Sequence, residues 1–495
     1  MSHQILPHLQ CLRTTLATLS HALEKDPALS VPCAISGRLL DRMIVEQTTA
    51  LQFQAESYAA LLKILPAVEA LVGAPSPTGN PALDAIRELT AICRSSDTAA
   101  YDRFGLLSGD IQRSLLALGT VPALALAKTI LQIETDYGQK LDKAVLALAA
   151  TEAAASKAAS NVRNTREIDR KALIDFIKQN YPLETDIGIK ETNPVSGGYS
   201  KFTIGITLTN TKSLPENIIL RGDASATFGG VSVVDEYRLI KTMYENGVSV
   251  PKPIALEQTG KVFGSPFLLV DKKPGIVIGH MFKLPTDPNL AISADVATQL
   301  AAIHRVPLAV IGNQIDGANG KNPCSSDKAL AWIDEAVAAW EPLNMPSTVY
   351  ETAFDWLRKN AAINDKAPRT LVHGDYGLNN LLIDNDKVST ILDWEFAHVG
   401  NPAYDLGYFY FQAKSLGPWE HFLEAYGKAG MPIPNEEQLN YNILLAATRL
   451  GVMVCQTTGS FTSGADSGLA GAAVIGGGFY EETIKNISFV LSRVM

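Results

Sequence analysis

The chain has 495 residues, 46% of them hydrophobic and 19% charged, with a formal net charge of −9. Single cores stop growing near roughly 250 to 300 residues, so two or three domains are expected, and wholesale disorder is excluded. The acidic balance excludes the basic footprint of a nucleic-acid partner, and no apolar run reaches the about 18 residues that would span a membrane. Five scattered cysteines with no C-x-x-C pair argue for reduced thiols in a cytoplasm, against a disulfide frame or a zinc site.

Residues 1 to 160 are rich in Leu and Ala at helical spacing and predict helices near 4–25, 36–72, 81–94, 98–118 and 123–158. Pro32, Pro75, Pro77 and Pro122 punctuate them. Long amphipathic segments joined by short turns predict an antiparallel all-α bundle, read here as a surface for homodimerisation or partner docking. Residues 151–165 are rich in Ala, Ser and Asn and read as a linker, which puts a boundary near 160.

Beyond that boundary the pattern changes. A short helix at 170–179 precedes β-like runs at 187–195, 202–208 and 218–221, and the first two flank Ser196-Gly197-Gly198-Tyr199-Ser200-Lys201. The next helix spans 231–246, where Val233, Glu236, Ile240 and Met243 are spaced three, four and three. That spacing sets the Glu236 carboxylate in an apolar stripe, where it must be paired, and Arg221 at the end of the preceding strand is the nearest candidate. A further strand covers 267–271, and a helix covers 293–304.

The stretch from 371 to 394 carries the chemistry. Leu371-Val372 leads into the polar loop His373-Gly374-Asp375-Tyr376-Gly377-Leu378-Asn379-Asn380; the apolar runs 381–383 and 388–392 then flank the turn formers Asp384-Asn385-Asp386. Two such runs around a short turn predict a hairpin, which folds Asp393 back beside the loop. Asp375, Asn380 and Asp393 then surround one point with the oxygen donors that a hard cation such as magnesium takes.

The loop resembles the H-G-D-x-x-x-x-N catalytic loop of the aminoglycoside phosphotransferase family, and Ile391-Leu392-Asp393-Trp394-Glu395 resembles that family's second metal motif, in the same order. The wording of both segments is similar to the phosphotransferase domains associated with acyl-CoA dehydrogenases. The resemblance implies an α+β, two-lobed protein-kinase-like fold behind the extra bundle: helical domain 1–160, N-lobe 166–272 and C-lobe 273–495. It implies ATP, with GTP as an alternative, and Mg2+. Asp375 would be the base, and Asn380 and Asp393 the metal ligands.

By the same resemblance Ser196, Gly197, Gly198 and Ser200 would approach phosphates, and Arg221, fixed by Glu236, would take the role of the kinase strand lysine. Backbone groups from Leu269 to Asp271 would meet the adenine edge. His373 is expected to bond backbone, and Asp405 in Asn401-Pro402-Ala403-Tyr404-Asp405-Leu406 to brace the loop. The expected activity is transfer of a γ-phosphoryl group to a small-molecule hydroxyl, on a hydroxy metabolite or hydroxyacyl thioester. An antibiotic kinase and a non-catalytic nucleotide-binding scaffold are the two alternatives.

Overall fold

The computed structural model describes residues 48–72, 81–95, 101–150, 168–194, 201–223, 232–279, 284–312, 326–341, 347–365, 367–462 and 479–495, with parts of 12–45. Ser196, Gly197, Gly198 and Ser200, and the linker at 151–165, lie outside the described residues.

Five strands, β1 (Gly188–Pro194), β2 (Lys201–Thr209), β3 (Asn217–Asp223), β4 (Pro253–Glu257) and β5 (Phe267–Asp271), form one antiparallel sheet in the order β1-β2-β3-β5-β4. Strand alternation sends successive side chains to opposite faces. Phe202, Ile204, Ile206 and Leu208 of β2, with Ile218 and Leu220 of β3, pack in one core with Leu173, Phe176 and Ile177 of the Arg170–Asn180 helix. Asp169 caps that helix, accepting from the N–H groups of Lys171 and Ala172. The opposite face holds Ile219 and Leu268 against Val233, at the start of the Val233–Glu245 helix. Arg221, two residues on from Ile219, therefore points to the side that this helix covers.

The sheet leads through 272–279 into a second hairpin. β7 (Leu381–Asp384) and β8 (Lys387–Ile391) pair antiparallel around Asn385 and Asp386, both at positive φ (+50° and +59°). Two consecutive left-handed residues are what a two-residue hairpin turn with native twist requires. The expected hairpin is therefore present. Ile276 docks on it, exchanging main-chain hydrogen bonds with Ile383 at 3.0 and 2.9 Å. β6 (Thr370–Val372) pairs with β9 (His398–Gly400), so the loop and the Asp393 segment leave and return at adjacent strands. Behind them lie the Leu290–His304, Ala403–Leu416 and Trp419–Lys428 helices, joined in one core that includes Val296, Tyr376, Trp394 and Phe409.

These parts make up one compact unit, Asn161–Lys328 with Asn364–Asn442. The other unit unites Met1–Ser160, Ala329–Ile363 and Ile443–Met495. It contains the Ala50–Val72, Pro81–Ser95, Tyr101–Leu118 and Val121–Ala150 helices, whose inner faces bury Leu61, Leu89, Ile111 and Ala127. The expected C-lobe at 273–495 is thus corrected: its segments 329–363 and 443–495 are counted with the N-terminal helices. Two buried polar contacts explain this. Glu134 accepts from the Ser347 hydroxyl (2.5 Å) and the Val349 N–H (3.1 Å) at the start of the Thr348–Lys359 helix. Thr135 donates to Ser488 at 2.7 Å, tying in the Phe479–Val494 helix. Among the described residues no helix is long and apolar enough to cross a membrane.

Glu184 secures the connection between β2 and β3, and so the strand that carries Arg221. Its carboxylate accepts from the N–H groups of Lys212, Ser213 and Leu214 and from the Ser213 hydroxyl. Burial alone would raise its pKa, but these donors outweigh burial and hold it down at about 2. Because the folded value lies below the ordinary 4.5, this stabilisation is complete above that pH and fades as pH falls toward 2. Glu184→Gln should therefore melt below the wild type at pH 7, with the gap closing at pH 3. A gap that stays constant in thermal melts across that range would rule out this role for the carboxylate.

Candidate phosphotransfer site

The loop after β6 is shaped by a buried carboxylate. Asp405 accepts from the N–H of His373 at 2.8 Å, the N–H of Gly374 at 2.9 Å and Nε2 of His304 at 3.0 Å. Burial alone would push the Asp405 carboxyl up, but His304, His373 and the Gly374 N–H outweigh it and hold the group below the usual carboxylate range. His304 bonds Tyr426 through Nδ1 at 2.7 Å, and burial keeps that phenol protonated. His304 is accordingly a packed histidine that supports Asp405, and Asp405 braces the loop.

Gly374 has a φ of +81°, and a Cβ there would come 2.3 Å from the Phe396 carbonyl oxygen. Only glycine fits this position, which explains the middle residue of the His-Gly-Asp run. His373 is fully buried; its Nε2 faces the Leu392 carbonyl at 3.0 Å, and its Nδ1 accepts the Asp375 N–H at 3.3 Å. These partners select the neutral Nε2–H tautomer, and burial lowers the imidazole's pKa in the same direction. His373 therefore works on the backbone, as expected.

Asp375 and Asn380 are brought together. Nδ2 of Asn380 donates to Oδ2 of Asp375 at 2.8 Å and to the Asp375 carbonyl at 2.9 Å. The Leu392 N–H donates to the Asn380 carbonyl at 2.8 Å, which holds the Asp393 segment against the loop. Asp393 itself sits at φ +64°, a left-handed conformation that Asp tolerates better than most residues and that aims its carboxylate away from the path of β8.

Arg221 and Glu236 also meet. Nε of Arg221 lies 3.3 Å from Oε2 of Glu236, and Nη2 donates to Oδ1 of Asp393 at 2.5 Å. One guanidinium thus joins the helix behind the sheet to the segment after the hairpin. Burial pushes Glu236 up; Arg221 and Lys201 pull against that rise, while Asp393 and Glu395 add to it. Burial works against the Arg221 charge, but Glu236, Asp393 and Glu395 overcome it and make the guanidinium more basic than usual.

The adenine-edge expectation needs a correction at Leu269. This residue is fully buried inside the sheet, opposite Leu220 of β3 and Ala255 of β4, so its main-chain groups belong to the ladder. Asp271 ends the strand, accepting the Lys252 N–H and pairing with Lys273 at 2.9 Å. Beyond it the residues Lys272 and Pro274 to Val277 are solvent-exposed.

Two residues to which the sequence reading gives no role also stand at the site. The Tyr408 hydroxyl donates to Oδ1 of Asp375. Lys201, nearly inaccessible, pairs with Asp223 at 2.7 Å on the sheet face that carries Arg221. Both had a readable signal: Tyr408 lies one helical turn after Asp405, and Lys201 shares strand parity with Thr203, which stands opposite Arg221.

Comparison with known proteins agrees with this geometry. The model of the Phosphotransferase enzyme family (APH) matches residues 230–439, which contain Glu236, Asp375, Asn380, Asp393 and Asp405; Arg221 lies just before them. A solved Ralstonia eutropha JMP134 protein named for the aminoglycoside phosphotransferases superposes over 66% of this chain and 99% of its own, with a TM-score of 0.52 and 20% identity. Acyl-CoA dehydrogenase family member 10 of Mus musculus is 28% identical over 262 residues, 50% of this chain and 22% of that protein. Acyl-CoA dehydrogenase family member 11 of Homo sapiens is 28% identical over 183 residues, 35% of this chain and 22% of that protein. The matches thus span about a fifth of these relatives' lengths, and the likeness to acyl-CoA dehydrogenase relatives expected from the motif wording is found. Residues 230–439 thus match the phosphotransferase enzyme family model, in a chain with the two-lobed, kinase-like α+β fold.

Proposed function

We propose that this protein transfers the γ-phosphoryl group of ATP to a hydroxyl of a small molecule, with magnesium. The observation that carries the reading is the Asp375–Asn380 pair, held through the Leu392 N–H to the segment whose Asp393 is clamped to Arg221. Asp375 takes the acceptor's proton as the acceptor oxygen bonds to the γ-phosphorus, and the bridging oxygen leaves with ADP. Arg221 offers a permanent charge and a planar fork to the phosphates, and Glu236 holds the fork from behind.

The donor set fits a hard cation. Nδ2 of Asn380 is committed to Asp375, which leaves Oδ1 without a protein donor among the described residues, and Asp393 adds a carboxylate. No group of three or more His, Cys, Asp or Glu side chains among the described residues could hold a metal alone, so Asn380 and Asp393 would hold magnesium together with the nucleotide's phosphates. Bound there, the ion supplies charge neutralisation at those phosphates. The acyl-CoA dehydrogenase names of the relatives favour a hydroxy metabolite or hydroxyacyl thioester as acceptor over an antibiotic. GTP remains the alternative donor. The buried free thiols Cys93 and Cys455 support a reducing, cytoplasmic setting.

Asp375→Ala should leave nucleotide affinity nearly unchanged and reduce turnover about a hundredfold or more, as for loss of a positioned base. Equal loss of binding and turnover would mean that the loop, and not the base, has been removed. Asp393→Asn should instead weaken nucleotide binding in magnesium, read by calorimetric titration; unchanged affinity would sink the metal assignment. A double-mutant cycle on Arg221→Ala and Glu236→Ala, read as turnover at limiting nucleotide, should show coupling of about 0.5 to 3 kcal/mol. Strict additivity would contradict the pairing as a functional unit.

A further inference from the structure

The Ala403–Leu416 helix presents one polar stripe to the loop. Asp405, Tyr408 and Gln412 are spaced three and four apart and so share a face. Asp405 takes the N–H groups of His373 and Gly374, and Gln412 takes the Leu378 N–H at 2.7 Å. These two hold main chain. Tyr408 reaches a side chain: its hydroxyl donates to Oδ1 of Asp375.

We propose that Tyr408 is a positioning residue for phosphotransfer, fixing the orientation of the Asp375 carboxylate. The inference rests on the reading of Asp375 as the base. The loop's backbone is held without Tyr408, by Asp405, by Gln412 and by Asn380 at the Asp375 carbonyl. What remains to be set is the side-chain rotamer. With Asn380 on Oδ2 and Tyr408 on Oδ1, both oxygens are pinned and the carboxylate plane cannot turn. The half-buried Tyr408 ring rests near that of the buried Tyr404, at 6.5 Å between centroids, so the hydroxyl is delivered from a packed helix.

Tyr408→Phe keeps the ring and removes only this donor. The experiment follows Mg·ATP hydrolysis, with water as acceptor, in wild type, Tyr408→Phe, Asp375→Asn and the double variant, alongside melting temperature and nucleotide affinity. Loss of one hydrogen bond to a charged group should cost about ten- to a hundredfold in kcat. KM for the nucleotide, affinity and melting temperature should stay near wild type. In the Asp375→Asn background the same substitution should cost far less, because the two side chains act as one unit.

Unchanged turnover would overturn the proposal, as would turnover lost together with melting temperature or an undiminished further loss in the Asp375→Asn background, which marks a packing role alone. If wild type consumes no nucleotide, the failure lies with the phosphotransfer reading. Tyr408 is then judged by proton NMR of its own hydroxyl, identified by its absence in Tyr408→Phe. A resonance that moves upfield or is lost in Asp375→Ala supports the contact, and one that stays in place removes it.

Discussion

The buried carboxylate of Asp405 is the constraint from which the site is built. A charge with no access to water must be paired on every side, and Asp405 meets that demand with two consecutive loop N–H groups and one imidazole. Satisfying it forces Gly374 into the left-handed region and turns His373 so that one ring nitrogen meets the Leu392 carbonyl and the other the Asp375 N–H. The loop and the segment carrying Asp393 are thereby locked to one another. Each hydrogen bond to a charged group is worth about 1.5 to 3 kcal/mol, which adds to the burial of Tyr376 and Leu378 in the core.

The second organising contact is Arg221. It carries one positive charge between Glu236 and Asp393, with Glu395 close enough to be felt. The same guanidinium thus ties the Val233–Glu245 helix, through Glu236, to the segment after the hairpin, through Asp393.

What could be read from the sequence follows the range of each interaction. The hairpin, the loop and the Arg221–Glu236 pairing are legible because short-range periodicity and turn chemistry fix them: two strands around Asn385-Asp386, and a carboxylate centred in an apolar helix stripe. Leu269 was misplaced because a sequence does not reveal strand order. β5 lies between β3 and β4, so its middle residue is saturated. The division of the chain was hidden for a similar reason. Glu134 reads as an ordinary helix acid until Ser347, more than two hundred residues on, is found bonded to it. Tyr408 was overlooked although its spacing from Asp405 pointed at the loop, because a tyrosine among Tyr404, Phe409 and Tyr410 reads as core.

The central claim is that these groups exist to move a phosphoryl group between oxygens. The most direct measurement is phosphorus NMR of the intact chain with Mg·ATP and a panel of hydroxylated metabolites and hydroxyacyl thioesters. The account predicts that for one acceptor class the γ-phosphate signal decays while ADP and a single new phosphomonoester appear in equal amounts. A folded protein that neither consumes ATP nor forms an ester with any acceptor, and whose addition leaves the nucleotide signals unperturbed, would contradict it.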